Sequence, residues 1–185
     1  MSRRGTVGGD GSIRLFCALR LPDEALDGLV AWQRELPVAP GVRPVARPNL
    51  HLTLAFLGSR PREDVASVAD ALRAAASGAG ELVLRPRRYR ETRSVGMLVL
   101  DDAGGAAAAL ADDLHARLEQ LGVYERERRP WLPHVTVLRF RSPPRLAPSL
   151  PDLGPVRPSD AALYHSVLRP TGAQYEVLER VGLGG

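Results

Sequence analysis

Two short segments, His51-Leu52-Thr53 and His134-Val135-Thr136, each set a hydroxyl two residues after an imidazole. The chain holds four histidines and five threonines. A threonine two places after a given histidine is therefore expected by chance at about 3%, and two such pairs among four histidines at roughly 0.4%, so the repeat is read as a unit of function. Alternate side chains of a strand share a face, which puts His51 and Thr53 on one side and Leu50, Leu52 and Leu54 on the other. His134 and Thr136 stand in the same way over Val135 and Val137. Each segment thus buries an apolar face in its own half of the chain and presents a polar pair that needs a partner or water.

Two such strands facing each other across a groove supply two imidazoles and two hydroxyls. That set suits phosphodiester hydrolysis. One neutral histidine removes a proton from water, the other gives a proton to the departing oxygen as an imidazolium, and the threonines donate to phosphate oxygens as charge grows there. Each acid or base role typically supplies about 100- to 10,000-fold. A strained five-membered cyclic phosphate needs less assistance than an unstrained diester and is the natural substrate for so spare a site. Spacing alone leaves open which histidine gives the proton. Two other readings stand beside this one: an RNA-end or nucleotide-binding module with little turnover, and a phosphodiesterase for another cyclic phosphate or a 2'-5' linkage. A zinc hydrolase fits worst, because the two histidines lie 83 positions apart with no third ligand motif. No metal and no cofactor are expected.

The elements that must position these pairs follow from periodicity and punctuation. Residues 13–21 read as a strand closed by Pro22, followed by a helix opened by Asp23 and Glu24, with Leu26, Leu29, Val30 and Leu36 near one face, and stopped by Pro37 and Pro40. Pro44 and Pro48 mark an extended approach to a strand over 50–57 that Gly58 ends. A second helix opens at Glu63 and Asp64 and closes in Ser77-Gly78-Ala79-Gly80. Strands are expected over 81–84 and 95–100, joined by the Arg-rich stretch Arg85 to Arg93. A third helix spans 106–121, with Gly122 as its stop. Pro130 to Pro133 then lead into a strand over 134–140, residues 141–158 are irregular, and 161–168 with 174–181 form a final hairpin around Pro170-Thr171-Gly172. Strands alternating with three helices in two related halves give an α+β fold.

Composition bounds the rest. With 185 residues and 44% hydrophobic content, the chain can bury a core, as one compact unit or two small lobes. The lone Cys17 forms no internal disulfide, and no apolar run approaches the roughly 20 residues that span a bilayer. Met1 to Ser12 is Gly-rich and lacks a signal peptide's apolar stretch, so a frayed tail over 1–12, a single domain over 13–185 and a cytoplasmic, monomeric protein without membrane contact are expected. Net charge is +4, and every basic residue is Arg. That balance permits a polyanionic ligand without requiring one.

Several segments together extend the reading. Arg14-Leu15-Phe16, Pro48-Asn49-Leu50-His51-Leu52-Thr53-Leu54-Ala55-Phe56-Leu57-Gly58, Pro133-His134-Val135-Thr136-Val137-Leu138-Arg139 and Leu163-Tyr164-His165-Ser166-Val167-Leu168 with Gly172 and Tyr175 resemble the successive signatures of the RNA 2',3'-cyclic phosphodiesterase family. It is also called the 2'-5' RNA ligase family and lies within the two-histidine phosphoesterases. The resemblance implies two lobes of antiparallel sheet and flanking helices, related by a pseudo-twofold axis about a central cleft. It also implies metal-independent opening of an RNA 2',3'-cyclic phosphate to a 2'-phosphomonoester, with weak reverse 2'-5' joining. In that scheme His51 is the proton donor, His134 the proton acceptor, Thr53 and Thr136 bind phosphate, and the partner is RNA with a cyclic end or a cyclic nucleotide. Ala55 and Val137-Leu138 depart from the usual pattern and concern packing.

Phe56 and Arg139 each stand five positions after a motif histidine, where regular alternation turns them away from the imidazole. A bend in the strand would instead carry them to the groove rim, Phe56 to stack on a base and Arg139 to contact phosphate or ribose. Core packing and a surface charge explain them equally well. The arginines over 85–93 read as a solvated loop or as an electrostatic guide for RNA. His115 reads as a solvated helix residue and His165 as part of a hairpin strand, and neither belongs with the catalytic pair.

Overall fold

The computed structural model describes residues 11–37, 39–170 and 172–184; residues 1–10 of the expected tail, and Thr171 of the expected turn, lie outside the described residues. In chain order the elements are β1 (Ser12–Leu19), α1 (Asp23–Glu35), β2 (Val42–Pro44), β3 (Leu52–Pro61), α2 (Asp64–Ser77), β4 (Arg85–Glu91), β5 (Val95–Asp101), α3 (Ala106–Gln120), β6 (His134–Phe140), β7 (Asp160–Arg169) and β8 (Gly172–Gly182). The strands form one eight-stranded sheet in the order β4-β5-β6-β3-β1-β7-β8, with β2 paired onto β6. All its described pairings are antiparallel. Half of the sheet, β3-β1-β7-β8, carries the first motif, and the other half, β6-β5-β4 with β2, carries the second. The halves meet where Leu52 of β3 pairs with Val135 of β6. Beyond that point β6 pairs with β2 instead, so the two motif strands diverge and leave a cleft.

The alternation seen in the sequence decides which face is which. Leu15, Leu19, Leu52, Leu54, Leu98, Leu138 and Leu163 point to the helical layer, where Leu29, Leu72, Leu114 and Leu118 meet them in one core. Burying each such side chain is worth about 1.5–3 kcal/mol. A one-residue slip of β3 or β6 would send leucines to water and put His and Thr in the core, so the same burial that fixes the register fixes the face that presents the His–Thr pairs. On that opposite face Phe16, Ala18, Ala162 and Tyr164 form a smaller cluster, joined by Tyr175.

The helices begin and end near the expected places. Acidic Asp23 and Glu24 occupy the first turn of α1, where the helix dipole favours them. Gly122 closes α3 with φ of 69°, and Val123 N–H bonds the Leu118 carbonyl while Gly122 N–H bonds that of Glu119. A side chain at Gly122 would be strained in that left-handed conformation.

Several expectations are corrected. The strand expected over 81–84 is instead β4 over Arg85–Glu91. The Arg-rich stretch is therefore a strand and not its connecting loop; Leu84 keeps a bridge to Val156. On an edge strand exposed arginines cost little and discourage pairing with another chain. β3 does not end at Gly58 but bulges there, with φ of 71°, and runs on to Pro61. β1 begins at Ser12, inside the expected tail. His115 is not solvated: it is 4% exposed.

Candidate active site

His51 lies immediately before β3, after a 3₁₀ turn over Arg47–Asn49 whose N-terminal proline suits that conformation. Its Nδ1 sits 2.8 Å from the Asn49 carbonyl oxygen. A carbonyl only accepts, so Nδ1 carries the proton, and Nε2 of the neutral ring accepts from the Thr53 hydroxyl 3.1 Å away. His134 repeats the arrangement, its Nδ1–H donating to the Leu132 carbonyl at 2.8 Å. Among the described residues its Nε2 has no protein partner. Both rings are thus pinned through Nδ1 by the carbonyl two residues upstream.

The surroundings of the two rings differ. His51 packs against Phe16, ring centroids 4.9 Å apart, and edge-on to Tyr175 at 5.4 Å; Tyr164 stacks behind Phe16 at 4.8 Å. Burial pushes the His51 imidazole down to about 4. The Asn49 carbonyl opposes that shift, and the positive charges of Arg139 and of protonated His134 add to it.

A cavity of about 470 Å³ is lined by His51, Thr53, Thr136, Phe56 and Arg139, among others. His134 is not among its lining residues; it shares the strand face of Thr136. A bulge in each motif strand explains how Phe56 and Arg139 come to face the cleft. In β3 the register with β1 shifts between Thr53 and Ala55, and Leu54 and Ala55 both enter the core. In β6 the register with β5 shifts between Thr136 and Leu138, and Val137 and Leu138 both enter the core. Each bulge moves the following residue onto the His–Thr side. Phe56 is 51% exposed, with the Arg14 guanidinium 5.4 Å from its ring centre.

The bulges are held by side chains that the pattern of the sequence did not single out. His115 Nε2 lies 2.7 Å from the Leu54 carbonyl oxygen and donates to it from α3. Gln33 of α1, also 4% exposed, donates to the Val137 carbonyl at 2.7 Å and to that of Val45 at 3.0 Å. His115 thus reaches a carbonyl at the β3 bulge, and Gln33 shares the Val137 carbonyl at the β6 bulge with the Val45 N–H. Trp131 donates its indole N–H to the Thr53 carbonyl at 3.0 Å, tying the approach to the second motif onto the first. The Asn49 amide donates to the Ala173 carbonyl of β8 at 3.0 Å. The signal in the sequence was the break in alternation at Leu54-Ala55 and Val137-Leu138.

Among the described residues no group of three or more His, Cys, Asp or Glu is placed to hold a metal ion. His165 faces Glu176 at 3.3 Å, on the other side of β7 from Tyr164 and Ser166. Cys17 is wholly buried and its thiol is pushed up to about 12 by that burial, which makes it inert as a nucleophile. A second cavity, between α2 and β8, holds charges that serve one another, Arg73 pairing with Asp70 and Glu179. Among the described residues no helix is long and apolar enough to cross a membrane.

Comparison with known proteins places the chain in a family. Residues 19–89 match the model described as LigT like Phosphoesterase. A protein of Thermus thermophilus named RNA 2',3'-cyclic phosphodiesterase is 34% identical over 94% of this chain and 91% of its own length. One of Escherichia coli with the same name is 32% identical over 70% of this chain and 73% of its own. The crystal structure of E. coli LigT in apo form superposes with a TM-score of 0.81 over 95% of this chain and all of that one, at 25% identity. With two equivalent His–Thr pairs on one face of this sheet and similarity running nearly the whole length, the chain belongs to the LigT-like phosphoesterase family.

Proposed function

We propose that this protein opens RNA 2',3'-cyclic phosphodiester ends to 2'-phosphomonoesters by acid–base catalysis between two histidines, without a metal ion. The observation that carries the reading is the repeated unit itself. Each motif has an imidazole whose Nδ1–H is spent on a backbone carbonyl, leaving Nε2 for proton transfer beside a hydroxyl on the same strand face. The names of the curated relatives support the substrate class.

In the proposed reaction His134 Nε2 takes a proton from water, whose oxygen attacks phosphorus. The bond from phosphorus to the 3' oxygen breaks, and His51 Nε2–H gives that oxygen its proton. Thr53 and Thr136 donate to the non-bridging oxygens, where charge increases in the transition state. Arg139 contacts phosphate or ribose from β6, and Phe56 offers a face for a base. The same steps with a 5'-hydroxyl in place of water, its proton going to His134 while the bond from phosphorus to the 3' oxygen breaks, would join the two ends through a 2'-5' bond, and water at its ordinary concentration outcompetes that acceptor.

With its ring held near 4, His51 is neutral at pH 7 before a phosphate binds. The substrate's negative charge raises it, so binding and proton uptake are coupled. The test is a product-resolved assay on RNA and nucleotides with cyclic ends, in excess chelator. The expected product is the 2'-phosphate, and His51→Ala and His134→Ala should each lose about 100- to 10,000-fold in kcat. Full turnover in both variants would remove the assigned roles, while tight binding without product would make the protein a binding module.

A further inference from the structure

The register of the second half-sheet carries the active face beyond the cleft. His134 pairs with Val99, and Val99 with Arg88; Thr136 pairs with Met97, and Met97 with Arg90. Residues paired across neighbouring strands project to the same side. Arg88 and Arg90 of β4 therefore share the face of His134 and Thr136, two strands away, roughly 10 Å at the usual strand spacing. The residue between them, Tyr89, turns to the other face and reaches Trp32. Both arginines are exposed. Among the described residues neither has an acidic partner, whereas Arg87, at the β4 bulge, faces Asp101.

The corresponding outer rows of the first half-sheet differ in kind. There Phe16 pairs with Tyr164 and Tyr164 with Val177, and the charges further along are matched, Asp160 with both Arg20 and Arg180. One flank of the cleft is aromatic and apolar, and the other ends in two unpaired guanidinium groups. A single phosphate bound between the motif histidines would not reach Arg88 or Arg90. A chain of phosphates would.

We propose that Arg88 and Arg90 form a binding strip for the phosphate backbone of single-stranded RNA, taking the nucleotides just upstream of the terminal cyclic phosphate. The proposal rests on the RNA-end reading above and adds that the enzyme distinguishes a polynucleotide end from a free cyclic nucleotide. Guanidinium groups match phosphate oxygens in shape as well as charge. Backbone contacts of this kind bind without regard to base sequence, so the strip would add affinity for chain length and not for sequence.

The test compares Arg88→Gln/Arg90→Gln with wild type on two substrates, a 2',3'-cyclic mononucleotide and a short single-stranded RNA with a 2',3'-cyclic end. The strip predicts that kcat/KM for the RNA falls on the order of 10-fold, and that the slope of log affinity against log salt shrinks by about 1.4, from two lost phosphate contacts. Turnover of the mononucleotide should stay at the wild-type level. Equal effects on both substrates, or none on either, would overturn the strip. Fluorescence anisotropy of the same RNA ending in a 2'-phosphate reads the strip without turnover. If wild type proves inactive on both substrates the function is wrong, while a weaker RNA affinity in the variant still supports the strip and an unchanged one refutes it.

Discussion

At the scale of single residues, the two histidines share a tautomer but not an environment. Phe16, Tyr164 and Tyr175 enclose His51, and its imidazole sits near 4 against about 6.5 for a free one. In kcat/KM, which reports the free enzyme, a limb near pH 4 should therefore belong to His51. Arg139→Gln removes a neighbouring positive charge and should move that limb to higher pH. An unmoved limb would separate Arg139 from His51. The same group makes stability depend on pH. The unfolded chain binds His51's proton below about 6.5 and the folded protein only near 4, so this contribution is complete above 6.5 and is lost as pH falls toward 4. Between pH 7 and pH 4 the difference in unfolding free energy between wild type and His51→Gln should shift by about 3 kcal/mol in favour of the variant. Parallel curves would contradict the burial of the ring.

At the scale of elements, the bulges in β3 and β6 matter more than the strands' regular parts. Replacing His115 with Phe leaves the Leu54 carbonyl without its donor and should cost about 1–3 kcal/mol in urea unfolding. Its KM for nucleotide should rise more than its kcat falls, because Phe56 follows the bulge while His51 precedes it. Gln33→Leu should have a smaller effect on Arg139, because the Val137 carbonyl keeps the Val45 N–H. Unchanged stability in His115→Phe would mean that the bulge holds itself. These details mark where the sequence was readable and where it was not. The duplicated His–Thr pairs were legible because a strand's period of two survives over three residues. Phe56 and Arg139 were ambiguous because one extra core residue reverses that period, and Leu54-Ala55 signals the reversal only if both are known to be buried. His115 looked like any polar helix residue, since its partner is a carbonyl 61 positions away in sequence. β4 was misplaced because arginines at an edge have the composition of a loop.

At the scale of the whole molecule, the half-sheets meet through the Leu52–Val135 pairing, reinforced by the Trp131 indole on the Thr53 carbonyl. That narrow junction leaves the cleft open and sets the distance between the motifs. Trp131→Phe keeps the ring and loses the N–H. It should cost about 1 kcal/mol of stability, and it should lower kcat more than it raises KM, since misaligned motifs still bind phosphate singly. A loss of stability with kcat intact would confine Trp131 to packing. The account as a whole requires the two halves to act on one phosphorus atom. The most direct measurement is a crystal structure with a nucleoside 2'-phosphate bound. We expect Nε2 of both His51 and His134 and the hydroxyls of Thr53 and Thr136 to lie within about 3.2 Å of oxygens of that single phosphate. A phosphate held by one His–Thr pair, with the other ring turned to a separate region, would contradict it.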